Sequence, residues 1–306
     1  MNLSDIVAAA SRYHVVLEPD RNEPEWWAGA PSALLAPDGT FYLACRMREG
    51  ISPRGRRGYE VRLLSSRDGI SFTPIAHIRR EDAGLPGFER PALVRVPATG
   101  KYRLYGCAPL ERGWGIIRWE DVDDPAQLDP RSMRTVLVED YPQDDFAHLT
   151  GYKDPVVLWE GGCWHMFVIG TDRLERTYHF TSADGDAWEP AAAGPALDLG
   201  GWHNFFTRPA SVLPLRVGYL FVYEGSQLGW RDPVYNVATG LAYSPDLCRF
   251  VDLTPDQPLL RSTTPGDYHT WRYSHWLPVG DRVFVYYEAA RPNNSNELRV
   301  SILETG

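Results

Sequence analysis

The stretch "GYKDPVVLWEGGCWHMFVIG", residues 151–170, decides the fold. It contains two short apolar runs separated by Gly-Gly, and Lys153 and Asp154 stand directly before the first run. Short apolar runs bounded by turn residues are typical of buried antiparallel strands. Two charges at the start of a buried strand could simply mark a solvated turn, so the rest of the chain has to decide.

Related stretches recur along the chain at intervals of about 60 residues. Each is a short strand, a turn rich in Gly or Asp, and a longer aromatic strand. Four copies begin with proline, and the alignment places Trp276 at the corresponding position of the fifth. The four other copies are "APSALLAPDGTFYLACR" (30–46), "ERPALVRVPATGKYRLYG" (89–106), "TRPASVLPLRVGYLFVYEG" (207–225) and "SHWLPVGDRVFVYYEA" (274–289).

A second pattern lies downstream of three copies: "SRDGISF" (66–72), "SADGDAW" (182–188) and "SPDLCRF" (244–250). All three share Ser-x-Asp and an aromatic residue four positions after the aspartate. Asp-Gly between strand-like runs is a hairpin signal, because glycine tolerates the positive φ of a tight turn. Each copy therefore predicts four antiparallel strands, and five such units predict an all-β, five-bladed β-propeller. No helical periodicity competes with this interpretation.

The last copy reaches only a third strand, "ELRVSIL" (297–303), before the sequence ends. We expect the N-terminal strand "YHVVLEP" (13–19) to add the missing outer strand and close the ring, which removes exposed sheet edges. Residues 2–12 could form a short helix before it. The chain is then one domain, 1–306.

Composition limits the function classes. The formal net charge of −9 argues against nucleic-acid binding. The four cysteines show no metal-type spacing, and Cys163, like His165 and His179, is interpreted as packing. No signal peptide and no membrane-spanning segment are evident, so a cytoplasmic protein without a membrane partner is expected.

The geometry of a propeller predicts that the charged residues of the repeats lie at the same end of the channel. The first strand of each blade lines the channel, and its start lies beside the end of the antiparallel second strand. Residues far apart in sequence should therefore meet at one mouth. Strand starts contribute Glu25, Trp26, Trp27, Glu89, Arg90, Lys153, Asp154, Arg208 and His275, and second-strand ends contribute Arg46, Arg48, Asp172, Glu224 and Glu288.

Each of these residues also has a structural interpretation. A solvated loop or a structural ion pair explains any single charge, and an aspartate before proline often accepts backbone N–H groups in a turn. Trp26 and Trp27 are more often packing residues than sugar platforms. The recurrence of a charge at the same place in nearly every copy favours a functional site.

At this point the sequence resembles the five-bladed propeller glycosidases, the group that includes glycoside hydrolase families 43, 62, 32 and 130. "KDPVV" resembles their acidic-Pro blade openings, and "GFERPALV" resembles the Glu-Asp-Pro-Arg segment of family 130. "GTFYLACRMR" is similar to the first-blade strand of family 130 that ends in arginine. "LFVYEGSQLGWRDPVYNVATGLAYSPD" is similar to its fourth-blade segment, with Glu224 where histidine is usual. The resemblance implies the fold and an activity on glycosides.

The departures concern the catalytic residues. Family 43 has acids in blades one, three and four, whereas this chain has Ala30-Pro31, Asp154 and Arg208-Pro209 at those places. Arg90 stands where family 130 has an aspartate. We predict that Glu89, Asp154 and Glu224 form the catalytic set, because hydrolysis needs an acid and a base from facing positions. Either Glu89 or Glu224 is the acid, the other is the base, and Asp154 orients the acid.

The cations suggest more about the ligand. Arg46, Arg48, Arg90, Arg208 and His275 predict a substrate with an anionic group, such as a uronic acid or a sugar phosphate, or phosphate as the attacking group. Lys153 and Arg90 would keep a neighbouring carboxylate ionised. The alternative is a non-catalytic sugar-binding propeller, or the same fold used for phosphorolysis or another non-hydrolytic reaction. Some relatives hold a cation near a fifth-blade histidine, where His275 lies, but no metal or cofactor is predicted.

Overall fold

The computed structural model describes residues 3–50, 58–111, 113–139, 151–172 and 174–304. These residues confirm the all-β prediction. One short helix, α1 (Leu3–Ala10), lies within the predicted N-terminal range, and the rest of the regular structure is β-strand apart from two 3₁₀ turns, Pro125–Gln127 and Pro130–Ser132. No described helix has the length and apolar content that a bilayer crossing requires.

The strands form five antiparallel units of four, numbered here by chain order. Unit 1 consists of β2 (Trp27–Leu35), β3 (Phe41–Arg48), β4 (Gly58–Ser66) and β5 (Thr73–Arg79), and unit 2 of β6 (Ala92–Arg95), β7 (Tyr102–Leu110), β8 (Gly113–Arg118) and β9 (Arg134–Leu137). Unit 3 consists of β10 (Tyr152–Glu160), β11 (Cys163–Asp172), β12 (Leu174–Ser182) and β13 (Glu189–Pro190), and unit 4 of β14 (Phe206–Pro214), β15 (Tyr219–Ser226), β16 (Ala238–Ser244) and β17 (Val251–Asp252). Unit 5 consists of β18 (Trp271–Val279), β19 (Arg282–Ala290), β20 (Asn296–Glu304) and the N-terminal strand β1 (His14–Leu17).

The N-terminal strand pairs as the sequence predicted. β1 runs antiparallel to β20, with His14 opposite Val300 and Leu17 opposite Leu298. Units 1 and 5 belong to one continuous sheet, because Trp27 of β2 forms a parallel bridge with Asn296 of β20. The first strands of successive units contact one another in the cyclic order β2, β6, β10, β14, β18 and back to β2.

The apolar core lies between the units. In the described part of the chain, the buried apolar side chains form five clusters, one between each pair of successive units. The cluster between units 4 and 5 also takes up Ile6 and Ala9 of α1, which fixes that helix on the surface. Alternating apolar residues on strands of neighbouring units thus face each other, which is how sheets stacked around an axis bury both faces.

The aromatic residue of the Ser-x-Asp pattern joins one unit to the preceding one. Phe72 of unit 1 packs on Tyr286 of unit 5 with ring centroids 5.9 Å apart. Trp188 of unit 3 packs on Tyr105 of unit 2 at 6.1 Å, and Phe250 of unit 4 packs on Phe167 of unit 3 at 6.0 Å. The repeat therefore encodes contacts between units as well as the turn itself.

The aspartates of the pattern stabilise their turns, as the hairpin prediction requires. Oδ1 of Asp68 accepts hydrogen bonds from the N–H groups of Ile70 and Ser71, at 2.8 and 2.7 Å. The glycine that follows, Gly69, has φ of +74° and offers its carbonyl to the Tyr286 hydroxyl at 2.8 Å. Gly185 of unit 3 repeats this with φ of +80° and a 2.8 Å bond from Tyr105.

Candidate functional site

Several of the predicted residues lie where the first strands begin and the second strands end. In unit 4 Arg208 lies opposite Glu224 in the β14–β15 ladder, and in unit 5 Arg272 lies opposite Glu288 in the β18–β19 ladder. Antiparallel pairing thus places a base and an acid side by side at the same end of both units. The side-chain contacts described next join these ends to one another.

A β-bulge re-aims the first strand in several units. In units 1, 3 and 5 the ladder between the first and second strands shifts register once, and a residue within each shift has positive φ: Ala30 at 52°, Asp154 at 54° and Tyr273 at 54°. Residues other than glycine rarely adopt this conformation, and a bulky aromatic does so least. Such strain persists only where the surroundings hold it, and it is characteristic of functional sites.

This register corrects the alignment of the fifth copy. Tyr273 corresponds to Asp154, so Ser274 takes the place of the proline, and the sequence prediction of Trp276 there is wrong by two residues. The number of residues up to the following turn identifies the correct alignment. Ser274 precedes Gly280 by the same number of residues as Pro155 precedes Gly161. Counting back from the glycine would have found Tyr273.

Asp154 is buried, with 3% of its surface exposed, and donors surround it. The backbone N–H of Arg90 donates to Oδ1 at 3.1 Å, and the Tyr273 hydroxyl donates to Oδ2 at 3.1 Å. The Cys107 thiol lies 3.6 Å from Oδ1 and accepts the N–H of Asp154 at 3.1 Å. Several donors thus fix the orientation of this carboxylate, which suits a positioning role.

A chain of ion pairs joins units 1, 2 and 5. The guanidinium of Arg46 contacts the carboxylate of Glu89 through Nη1 and that of Glu288 through Nη2, the latter at 3.0 Å. Glu288 also accepts from Arg272 at 2.8 Å and from Asn296 at 2.6 Å. Burial acts against the charge of Glu288, but Arg272 and Arg46 outweigh it and lower the pKa. The Glu89 side chain keeps 13% of its surface exposed, whereas those of Arg46 and Glu288 keep none.

A second ion cluster joins units 3 and 4 through a residue that the sequence analysis missed. Glu175 of β12 accepts from Lys153 at 2.7 Å and from Arg208 at 2.5 Å. Burial alone would raise its pKa, but Arg208 and Lys153 overcome that effect and lower the pKa to about 2. Glu175 lies outside both repeating patterns, so only its carboxylate chemistry could have marked it.

Glu224 is the most enclosed of the predicted catalytic residues. It has no exposed surface, its Oε1 accepts the N–H of Ser274 at 3.0 Å, and its Oε2 has no partner among the described residues. Burial raises the pKa to about 7, against the opposing influence of Arg90 and other nearby arginines. Arg90 itself is held by the carbonyls of Pro209 and Ala210, at 2.9 and 2.6 Å. Glu224 therefore takes up or releases a proton near neutral pH.

The remaining predicted residues lie around this centre. Trp27 is 1% exposed, and the guanidinium groups of Arg48 and Arg272 lie 4.1 and 4.7 Å from its ring centroid, so its observed contacts are packing contacts. Trp26 is half-buried beneath Arg21, at 4.7 Å, and Glu25 is half-buried beside it.

His275 lies after the bulge of β18, and burial lowers its pKa to about 3, with Arg90 acting in the same direction. The side chain of Asp172 lies outside the described part of the chain. Within the described residues, no group of three or more His, Cys, Asp or Glu side chains is placed to hold a metal ion.

Comparison with known proteins shows that solved structures share this fold. No protein-family model matches the sequence, and no curated protein matches it. A β-1,2-mannobiose phosphorylase from Listeria innocua, solved with β-1,2-mannobiose, aligns with a TM-score of 0.68 at 13% identity, over 95% of this chain and 94% of that chain. An α-L-arabinofuranosidase from Lactobacillus brevis aligns with a TM-score of 0.65 at 14% identity, over 93% and 92%. An α-L-arabinanase from Penicillium chrysogenum, complexed with arabinobiose, gives 0.61 at 15% identity, over 96% and 98%. These likenesses show the fold, and the chemistry has to be argued from the residues.

Proposed function

We propose that this chain is a five-bladed β-propeller glycoside hydrolase whose active site lies where its first strands begin. The five four-strand units are the blades, and β1 closes the ring by completing the fifth. Two observations support the architecture: the cyclic contacts of the first strands, and the five apolar clusters between successive units.

One observation supports the activity above the others. Carboxylates from three different units carry charges close to two buried arginines: Glu89 contacts Arg46, Asp154 accepts the backbone N–H of Arg90, and Glu224 acts electrostatically on Arg90. Structures with this fold include enzymes described as acting on mannosides and arabinosides, which favours a glycoside or oligosaccharide as the substrate.

The surroundings of the carboxylates assign their roles. Glu224 is the general acid, because its raised pKa of about 7 keeps part of it protonated at neutral pH. Its unpartnered Oε2 carries the proton to the leaving oxygen, directly or through one water. Glu89 is the base, because its carboxylate contacts Arg46 and 13% of its side-chain surface is exposed, where an attacking water can reach it.

The reaction is a single inverting displacement. The bond between the anomeric carbon and the leaving oxygen breaks as Glu224 protonates that oxygen. Water attacks the anomeric carbon from the opposite face, and Glu89 takes the proton that the water loses. Inverting enzymes hold their two carboxyl groups about 6.5–9.5 Å apart to admit this water. Asp154 positions Arg90 and Tyr273 beside the acid.

The test is the loss of turnover in single amide variants. E89Q and E224Q should each lower kcat by about 10²–10⁴ on a glycoside found in a panel of aryl glycosides and oligosaccharides, because a positioned acid or base contributes that much. E189Q, which changes an exposed glutamate on β13, should leave kcat unaltered. Losses below tenfold in E89Q, D154N and E224Q together would refute the assignment.

A second candidate function is phosphorolysis, and the buried arginines Arg46, Arg48 and Arg90 favour it. Phosphate supplies the attacking oxygen itself, so the reaction needs one proton donor and a set of cations rather than an acid and a base. The same panel assayed with inorganic phosphate separates the two reactions, because only phosphorolysis releases a sugar phosphate. If no substrate turns over but oligosaccharides bind, the chain is a sugar-binding propeller.

A further inference from the structure

The cations of the site differ in whether they have a partner. Arg46 contacts Glu89 and Glu288, Arg272 contacts Glu288, and Arg90 is held by backbone carbonyls. The two cations contributed by units 3 and 4 share Glu175. Arg48 is the exception: no hydrogen bond or ion pair of its guanidinium is found with any other described residue, and its Nε is enclosed without a partner.

Arg48 is nevertheless buried. It ends β3 with 8% of its surface exposed, and its guanidinium lies 4.1 Å from the centroid of the Trp27 ring. Burial lowers the pKa of Arg48, and the neighbouring charges of Arg46 and Arg272 act in the same direction. Among the described residues, Glu89 opposes them most strongly, and its carboxylate already contacts Arg46.

A buried cation without an anion is unfavourable, because the Coulombic gain that normally offsets desolvation is missing. The aromatic ring recovers part of that cost through a cation–π contact. It also packs against the guanidinium group, so Arg48 loses less side-chain freedom when a ligand binds. Guanidinium forks match the two oxygens of a carboxylate or phosphate.

We propose that Arg48, backed by Trp27, is the anchor of an oxyanion subsite in the active site. The ligand group is a carboxylate or phosphate, supplied either by a charged sugar of the substrate or by free inorganic phosphate. This inference rests on the proposed function and narrows it to anionic ligands. It also separates Arg48 from Arg46 and Arg208, whose guanidinium groups already contact carboxylates within the protein.

The test measures binding rather than turnover. Calorimetric titration of the full chain with inorganic phosphate, with methyl glucuronide and with methyl glucoside compares the two anions with a neutral sugar. One of the anions should bind, and its affinity should fall as salt is raised. R48M should weaken that binding at least about tenfold, because a hydrogen bond to a charged group is lost.

R282M is the matched control. Arg282 also lies on an aromatic ring, 5.5 Å from the centroid of Phe284, but it stands at the start of β19, the opposite end of the β18–β19 ladder from Arg272 and Glu288. Its removal should leave the affinity of either anion unchanged. R48K keeps the charge and loses the fork, so it should give an intermediate affinity, and it preserves the test if R48M does not fold.

Three outcomes would overturn the proposal: no anion binding by the unaltered protein, equal affinity in R48M, or equal weakening in R282M. Tighter binding of phosphate than of the glucuronide assigns the subsite to free phosphate, and the reverse order assigns it to the sugar. If anions bind through Arg48 but E89Q and E224Q keep full turnover, the catalytic assignment fails and the subsite stands.

Discussion

The hydroxyl of Tyr273 donates a 3.1 Å hydrogen bond to Oδ2 of Asp154. The bond joins the first strands of units 3 and 5, which are not neighbours in the cyclic order. Both residues have φ of +54°, at the register shifts of β10 and β18. Each of these two strained residues therefore helps to hold the other in place, because the two bulges bring the hydroxyl and the carboxylate into contact.

Y273F tests this contact. The change removes one donor from a buried carboxylate, and hydrogen bonds to charged groups contribute about 1.5–3 kcal/mol. We expect the free energy of unfolding to fall by about 2 kcal/mol and turnover to fall as well, because Asp154 loses its fixed orientation. Urea unfolding and steady-state kinetics measure the two effects.

Y286F is the control for Y273F. Tyr286 is also fully buried, but its hydroxyl donates to the carbonyl of Gly69 at 2.8 Å, away from the charged network. Y286F should lower stability by about 1 kcal/mol and leave turnover intact. Equal kinetic losses in Y273F and Y286F would show that Tyr273 acts only through stability.

The repeat predicted much of the fold because it encodes local and neighbouring contacts. The Asp-Gly turns at Asp68 and Asp184 have positive-φ glycines where the sequence placed them, and β1 pairs with β20 as the unfinished last unit required. Strand periodicity and turn chemistry act over a few residues, so they can be recognised without any knowledge of distant contacts.

The site was predictable only where it followed the repeat. Arg46, Glu89 and Asp154 occupy repeated positions and do meet, whereas Tyr273 was missed because the fifth copy has serine in place of proline. Glu175 was missed for a different reason. Its partners, Lys153 and Arg208, belong to two units, and no local pattern records which buried charge pairs with which.

E175Q tests the ion cluster between units 3 and 4. It leaves Lys153 and Arg208 close together without their shared anion. Removing one partner of a buried ion pair lowers the free energy of unfolding by about 3–5 kcal/mol. We expect a loss of about 3 kcal/mol, the lower end of this range, because 21% of the Lys153 side-chain surface is exposed to solvent. R231M breaks an exposed pair with Asp267 and should cost less than about 1 kcal/mol. Equal costs would mean that solvent screens both pairs alike.

Glu224 should control the pH dependence of activity. With a pKa of about 7, the carboxyl loses its proton as the pH rises through neutrality, so kcat should fall on the alkaline side of about pH 7. The measurement is a pH profile of kcat for the unaltered protein. A profile that stays flat from pH 6 to 8 would exclude Glu224 as the acid.

Glu224 should also make the free energy of unfolding depend on pH. Burial raises the pKa of Glu224 from the ordinary value of 4.5 to about 7, so the folded state binds more protons than the unfolded state between about pH 4.5 and 7. The free energy of unfolding should therefore decrease as the pH rises through this window. E224Q should remove this contribution. Compared with the unaltered protein, the variant should therefore be more stable at pH 8 than it is at pH 5, and urea titrations of both proteins at both pH values measure this difference.

The final prediction concerns the pairing of β1 with β20. Val16 packs against the cluster between units 5 and 1, whereas its neighbour Val15 is 46% exposed. Successive strand residues point to opposite faces, so the same substitution at the two sites separates burial from strand formation. V16D should lower the free energy of unfolding by roughly 1–3 kcal/mol, because it buries an unpaired charge, and V15D should cost much less. If both variants unfold at the same urea concentration as the unaltered protein, β1 does not stabilise unit 5, which must then be held by its other three strands.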